Sequence, residues 1–145
     1  MNKDKGQTII EAVVSATMVI VGLLGIVSLL LSSMKWNRDM AGRLIATYLA
    51  AEGIEVIKNI ADSNISQGSA VAWNDGLGGD YEVQYDSKKD GLWKIDGELN
   101  FLRFDGTGGS YGYGGDKETF YRRAVSVSGD GTGNKMAVTS VVTWQ

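Results

Sequence analysis

The sequence predicts an α+β protein in which one long N-terminal helix, half of it transmembrane, packs on a small antiparallel sheet. Three observations carry that expectation. Ala12 to Leu31 holds no charged residue, and at ~1.5 Å rise per residue such a run covers the roughly 30 Å of a bilayer's hydrocarbon core. The chain has no proline, and no turn cluster precedes Asp62, so the helix is expected to continue beyond the apolar run. From Tyr81 the pattern changes to a period of two between glycine-rich turns, which marks strands with one face on a core. The segments are therefore 1–6, short and polar; 7–33, the apolar half of the helix; 34–62, its amphipathic half; and 63–145, a loop and sheet.

The totals narrow the function. The 145 residues leave room for one domain beside the helix. The roughly 80 residues after Asp62 make a small core on their own, so they are expected to use the second half of the helix as a wall. With no cysteine there is no disulfide and no thiolate metal site, and with no histidine the commonest general base near neutral pH is missing. No constellation of carboxylate, lysine or serine stands out as catalytic, so the chain is read as not an enzyme. A net charge of −3 with no clustered basic face argues against a nucleic-acid partner.

Glu11 stands one residue before the bilayer-length run, where a carboxylate at full depth would cost about 2.5 to 3.5 kcal/mol. Ahead of it, Met1-Asn2-Lys3-Asp4-Lys5-Gly6 is short and mildly basic. A secretory signal peptide would instead place its apolar region before the cleavage point. Basic residues flank the span on both sides, Lys3 and Lys5 before and Lys35, Arg38 and Arg43 after, so charge alone leaves the topology open. A basic leader ending in Gly6, followed by Gln7-Thr8-Ile9-Ile10-Glu11 and an apolar helix, resembles the prepilin signal of type IV pilins and type II secretion pseudopilins. The run Leu49-Ala50-Ala51-Glu52-Gly53-Ile54-Glu55 adds a likeness to minor-pilin-like members.

That resemblance implies a ladle-like fold and a filament subunit, with other pilins, a prepilin peptidase and an inner-membrane assembly platform as partners. It implies cleavage between Gly6 and Gln7 on the cytoplasmic side, N-methylation of Gln7, and assembly through Glu11. The chain would be single-pass in the cytoplasmic membrane, then part of an extracellular or periplasmic filament. Gln7 departs from the phenylalanine most often found there. Loss of Lys3, Asp4 and Lys5 with the leader would take the net charge to −4. Two other readings stay open: a DNA-uptake pseudopilin, which would need an exposed basic or aromatic strip, and a single-span anchored sensor or receptor domain that keeps Met1 to Gly6.

Gly22 and Gly25 weaken the apolar helix at about 1 kcal/mol each relative to alanine. They are the candidates for a segment that melts on leaving the bilayer, or else glycines that lipid-facing helices simply tolerate. Past Met34 two apolar tracks appear, Met40, Leu44, Tyr48, Ala51 and Ile54 on one, Ile45, Leu49, Val56 and Ile60 on the other. A helix apolar on two sides needs two partners, its own sheet and a neighbouring subunit. Gly53 marks a bend or a close contact.

Residues 63–79 read as a loop anchored by Val71 and Trp73, and Asn64-Ile65-Ser66 as a chance glycosylation triplet. About four strands follow, Tyr81 to Tyr85, Leu92 to Ile95 with Leu99 to Phe104, Phe120 to Val127 and Met136 to Trp144, the last two joined by the glycine-rich 128–134. Trp73, Trp93 and Trp144 are expected as core or loop anchors and Trp36 at the membrane interface. Arg122 and Arg123, adjacent on a strand, should face opposite sides, one pairing with an acid or lying near the helix. Asp105 to Asp116 is a glycine-rich loop with two readings. It could hold calcium through Asp105 and Asp116, or be a surface loop that adheres through Tyr111 and Tyr113.

Overall fold

A computed structural model describes residues 3–129 and 133–144, with side chains from Gln7 onward. Met1 and Asn2 of the expected leader, and Asp130 to Thr132 of the expected hairpin loop, lie outside the described residues. The fold is α+β: a single long helix packed on a small antiparallel sheet. The helix, α1, covers Lys3–Ser66 without a break, and the chain divides into one compact unit through Ala41 and another from Gly42.

In the first unit every large apolar side chain from Ile9 to Leu31 is exposed, on all sides of the helix. A helix apolar all round belongs in lipid or in the middle of a large core. This one is long and apolar enough to cross a bilayer.

In the second unit the remainder of α1 lies on six strands: β1 (Gly79–Glu82), β2 (Trp93–Lys94), β3 (Phe101–Asp105), β4 (Ser110–Gly112), β5 (Lys117–Gly129) and β6 (Met136–Thr143). All pairings are antiparallel, and β5 is the hub. Along one edge it pairs with β3 near its start and with β1 near its end; along the other it pairs with β6 over eight register positions. Alternation along β5 sends Tyr121, Arg123, Val125 and Val127 toward the helix and Phe120, Arg122 and Ser126 away from it.

The apolar core is in two parts. Val56, Ile57 and Ile60 of α1 pack with Tyr81, Val83, Val125 and Val127, while Ala46 and Leu49 pack with Leu102 and Tyr121. The sheet thus uses the helix as its second wall, as the small size of the sheet segment demands. Between the two clusters lies Arg123, fully buried. Its Nη1 donates to Leu49 O at 2.8 Å, its Nε and Nη2 donate to Val83 O at 3.2 and 2.6 Å, and Glu52 Oε1 stands 3.5 Å away. Gly53 makes this approach possible. A Cβ there would meet Ser140 Oγ at 2.6 Å, Val125 Cγ2 at 3.0 Å and Arg123 Cδ at 3.2 Å.

The structure corrects several expectations. The helix ends at Ser66 rather than Asp62, because Asn64 is buried and its Nδ2 donates to Trp73 O at 3.2 Å and Asp75 O at 3.0 Å. That burial also removes Asn64 as a glycosylation acceptor in the folded chain. The strand expected from Tyr81 to Tyr85 stops at Glu82, and Glu82 is buried because Asn100 donates to both its carboxylate oxygens. Among the described residues there are six strands rather than about four: Leu92 to Ile95 and Leu99 to Phe104 give separate strands, β2 and β3, and the hairpin strand β4 is added.

Gly53→Ala should destabilise the folded chain by about 1 to 3 kcal/mol through overpacking, and Arg123→Ala by about 3 kcal/mol through the cavity and the lost charged hydrogen bonds. Gly22→Ala, whose Cβ would have nothing within 4 Å, should cause no loss and raise helix stability by up to about 1 kcal/mol. Denaturant unfolding of the full chain in detergent micelles, followed by tryptophan fluorescence, measures all three.

Candidate functional site

The sequence-predicted assembly site is the start of α1. Gln7 and Glu11 are one helical turn apart and so lie on one face. Glu11 is exposed and takes part in no ion pair among the described residues. Gly6 is within the helix as well, and only its backbone is described. Beyond Glu11 the helix offers Ile9, Ile10, Val13 and Val14 as apolar surface, and Thr17 Oγ1 turns back to donate to Val13 O at 2.7 Å. The helix passes through Gly22 and Gly25 without interruption.

The two tracks of the amphipathic half separate as expected. Leu49, Val56 and Ile60 face the sheet and are buried, and Ile45 is packed against the cluster that holds Leu49. The other track stays in the open: Leu44 is 57% exposed, Tyr48 69% and Ile54 42%, with Ala51 exposed among them. At ~100° per residue these four lie on the side of α1 opposite Leu49, Gly53 and Ile60. Met40, at the end of the first unit, is exposed too. Glu55 and Lys58, paired at 3.5 Å, close the track at its far end.

The glycine-rich segment is a hairpin, not a free loop. β3 and β4 pair from Arg103↔Gly112 to Asp105↔Ser110, and Asp105 Oδ1 accepts the Thr107 N–H at 2.8 Å across the turn. Among the described residues no three acidic side chains converge as a cation site. The carbonyls that glycine frees here turn to Arg103 instead: its Nε donates to Gly115 O at 2.6 Å and its Nη2 to Asp116 O at 3.4 Å. Gly115 has no substitute, since a Cβ would meet the carbonyl carbon of Phe104 at 2.7 Å. Tyr111 and Tyr113 belong to the packed hairpin rather than to an open loop. Both are half-buried against Leu102 and Tyr121.

The paired arginines divide as the strand period requires. Arg123 goes inward, while Arg122 Nη1 donates to Glu98 at 2.6 Å and its guanidinium lies 4.0 Å above the Phe101 ring. Trp73 anchors the loop after α1 through a 3.0 Å bond from its indole N–H to Gly133 O. Trp93 departs from its expected role. It is 53% exposed, stacks on Tyr113, and lines a cavity of about 460 Å³ with Asp86, Asp90 and Lys88. Sequence reading missed this cavity; a tryptophan just after a turn with four charged side chains was the signal available.

Tyr113, beside the cavity, is a strongly shifted titrating group. Burial first, then the Glu82 carboxylate, raise its pKa well above 10.0, against a smaller opposing pull from Arg123. Burial, with Tyr111, raises Tyr121 as well. No family model matches the chain, and neither a curated protein nor a solved structure matches it.

The folded chain favours neutral Tyr113, so that contribution to stability is whole below pH ~10 and falls away as pH rises beyond it. Tyr113→Phe should flatten the alkaline loss in unfolding midpoint. It should also add about 1 kcal/mol at neutral pH, because the Tyr113 hydroxyl is buried without a partner.

Proposed function

We propose that this chain is a structural filament subunit of the type IV pilin or pseudopilin kind, processed after Gly6 and polymerised through its N-terminal helix. The observation that carries this reading is the uncovered apolar track of α1 at Leu44, Tyr48, Ala51 and Ile54. It lies opposite the face that the sheet already occupies. A helix whose one side is satisfied by its own sheet has no internal use for a second apolar side. A bundle of such helices, each contacting the next head to tail, supplies the missing partner and extends without closing.

In this account the apolar helix first holds the subunit in the cytoplasmic membrane. A prepilin peptidase then removes Met1 to Gly6, and an inner-membrane assembly platform draws the helix into the filament, extracellular or periplasmic. Glu11 has no charged partner in its own chain among the described residues. In the bundle it pairs with the new amino group of Gln7 on an adjacent subunit, which offsets its burial and sets the axial register. N-methylation of Gln7 follows from the same resemblance. The DNA-uptake variant gains nothing from Arg122 and Arg123, since one is paired with Glu98 and the other is buried.

N-terminal sequencing of the purified native protein should begin at Gln7. Glu11→Ala should leave that cleavage intact and cut recovery of sheared surface filaments at least tenfold. A native chain that retains Met1 and stays monomeric would replace this reading with an anchored sensor or receptor domain.

Leu44→Asp and Tyr48→Asp should lower filament yield by a similar factor without moving the unfolding midpoint, because both side chains are exposed in the single chain. Equal loss of stability and assembly would assign the track to folding instead.

A further inference from the structure

The cavity beside Trp93 has a composition that filament assembly does not use. Trp93 rests on Tyr113, ring centroids 5.3 Å apart and planes tilted by 30°, and the stack leaves the indole 53% exposed. Asp86 and Asp90 share the lining, both exposed and neither side chain in a hydrogen bond or ion pair among the described residues. Of the two neighbouring cations, Lys89 is drawn away to Asp75, and Lys88 stands in the lining itself. The other polar walls are engaged: Glu82 accepts from Asn100, and Gln84 Oε1 accepts the Tyr113 N–H at 3.0 Å. What remains open is an indole face, two carboxylates and the Lys88 ammonium, and the lining as a whole holds three carboxylates against that one ammonium.

The molecule contains a filled version of this arrangement. On the outer face of the sheet, Arg122 lies 4.0 Å above Phe101 and donates to Glu98 at 2.6 Å, so one guanidinium satisfies an aromatic face and a carboxylate together. We propose that the Trp93 cavity binds a guanidinium group, stacked on the indole and held by Asp86 and Asp90. A planar, delocalised cation matches both elements: it stacks on tryptophan, the best aromatic partner for a cation, and forks onto carboxylates. An anion would meet repulsion, and a neutral sugar would leave the excess negative charge uncompensated. Two sources present this chemistry, an arginine side chain of a polypeptide and a free small guanidine.

The test uses the full-length chain in micelles of a neutral polyoxyethylene ether detergent, with the four tryptophan indole N–H signals observed by NMR. Trp93→Phe assigns the Trp93 signal. Titration with N-acetyl-arginine amide should move that signal in a saturable way, with N-acetyl-lysine amide at least threefold weaker and methyl β-glucoside without effect. Asp86→Asn with Asp90→Asn should weaken binding at least tenfold, and 0.5 M sodium chloride severalfold. The replaced side chains are exposed, and an unchanged unfolding midpoint establishes that the variants fold. An Ala-Arg-Ala peptide that binds tenfold better than arginine amide identifies the source as a polypeptide, and equal affinity identifies a small guanidine. The proposal is overturned if Trp93 does not respond to 20 mM arginine amide, if the glucoside moves it equally, or if the double asparagine variant binds as the original does.

Discussion

One buried guanidinium decides how the helix lies on the sheet. Arg123 brings a full charge into the contact between α1 and the strands, a placement that costs several kcal/mol unless its donors are met. They are met by carbonyls from both sides, Leu49 O on the helix and Val83 O beyond β1, with Glu52 alongside. A carbonyl has two lone pairs, so Leu49 O can serve the helical ladder and Arg123 together. A purely apolar contact would tolerate sliding by a residue or a turn. This one does not, because moving α1 along the sheet takes Leu49 O away from Arg123 and puts a side chain where Gly53 now lets Ser140 and Val125 come close. The two apolar clusters on either side then supply the bulk of the burial at ~25 cal/mol per Å², but the arginine and the glycine set the register in which they meet.

That register fixes which side of the helix is left over. With Leu49, Gly53, Val56 and Ile60 committed inward, Leu44, Tyr48, Ala51 and Ile54 must point the other way, whatever their hydrophobicity. Four exposed apolar positions on one stripe are costly surface in water, and charged residues at Glu55 and Lys58 return as soon as the stripe ends. The pattern is that of a surface held ready for a second apolar partner and bounded where that partner would stop. Glu11 poses the same demand in electrostatic form, as a carboxylate amid apolar residues with no described partner.

Much of this could be read from the chain alone. The uncharged run from Ala12 to Leu31, the two tracks of the amphipathic half and the alternation of β5 each depend on a local period, and the structure has all three. The opposite fates of Arg122 and Arg123 followed from the same period of two. What could not be read depended on partners distant in sequence. Asp62-Ser63-Asn64 has the composition of a loop, yet α1 continues to Ser66 because Asn64 is recruited by carbonyls of the following segment. Glu82 sits in a polar slot of an alternating strand and is buried all the same, since Asn100 meets both its oxygens. Trp93 looks like a core residue by type and is left at the surface because β2 is too short to carry it under the sheet. In each case a long-range hydrogen bond, or the lack of anything to cover a side chain, overrode the local preference.

Arginine also accounts for the segment whose composition was most suggestive. Six glycines between Asp105 and Asp116 free backbone carbonyls in the way a cation loop does, and Arg103 takes two of them through Gly115 and Asp116. The cation that the loop gathers is covalently part of the chain. With Arg123 among core carbonyls and Arg122 between Phe101 and Glu98, three guanidinium groups thus occupy three different acceptor environments. A protein without histidine or cysteine has few other side chains able to organise carbonyls and carboxylates at a distance. Seen beside these three, Asp86 and Asp90, which line one cavity with Trp93, form an acceptor environment of the same kind for which the described chain provides no arginine, and electrostatics therefore favours one arriving from outside.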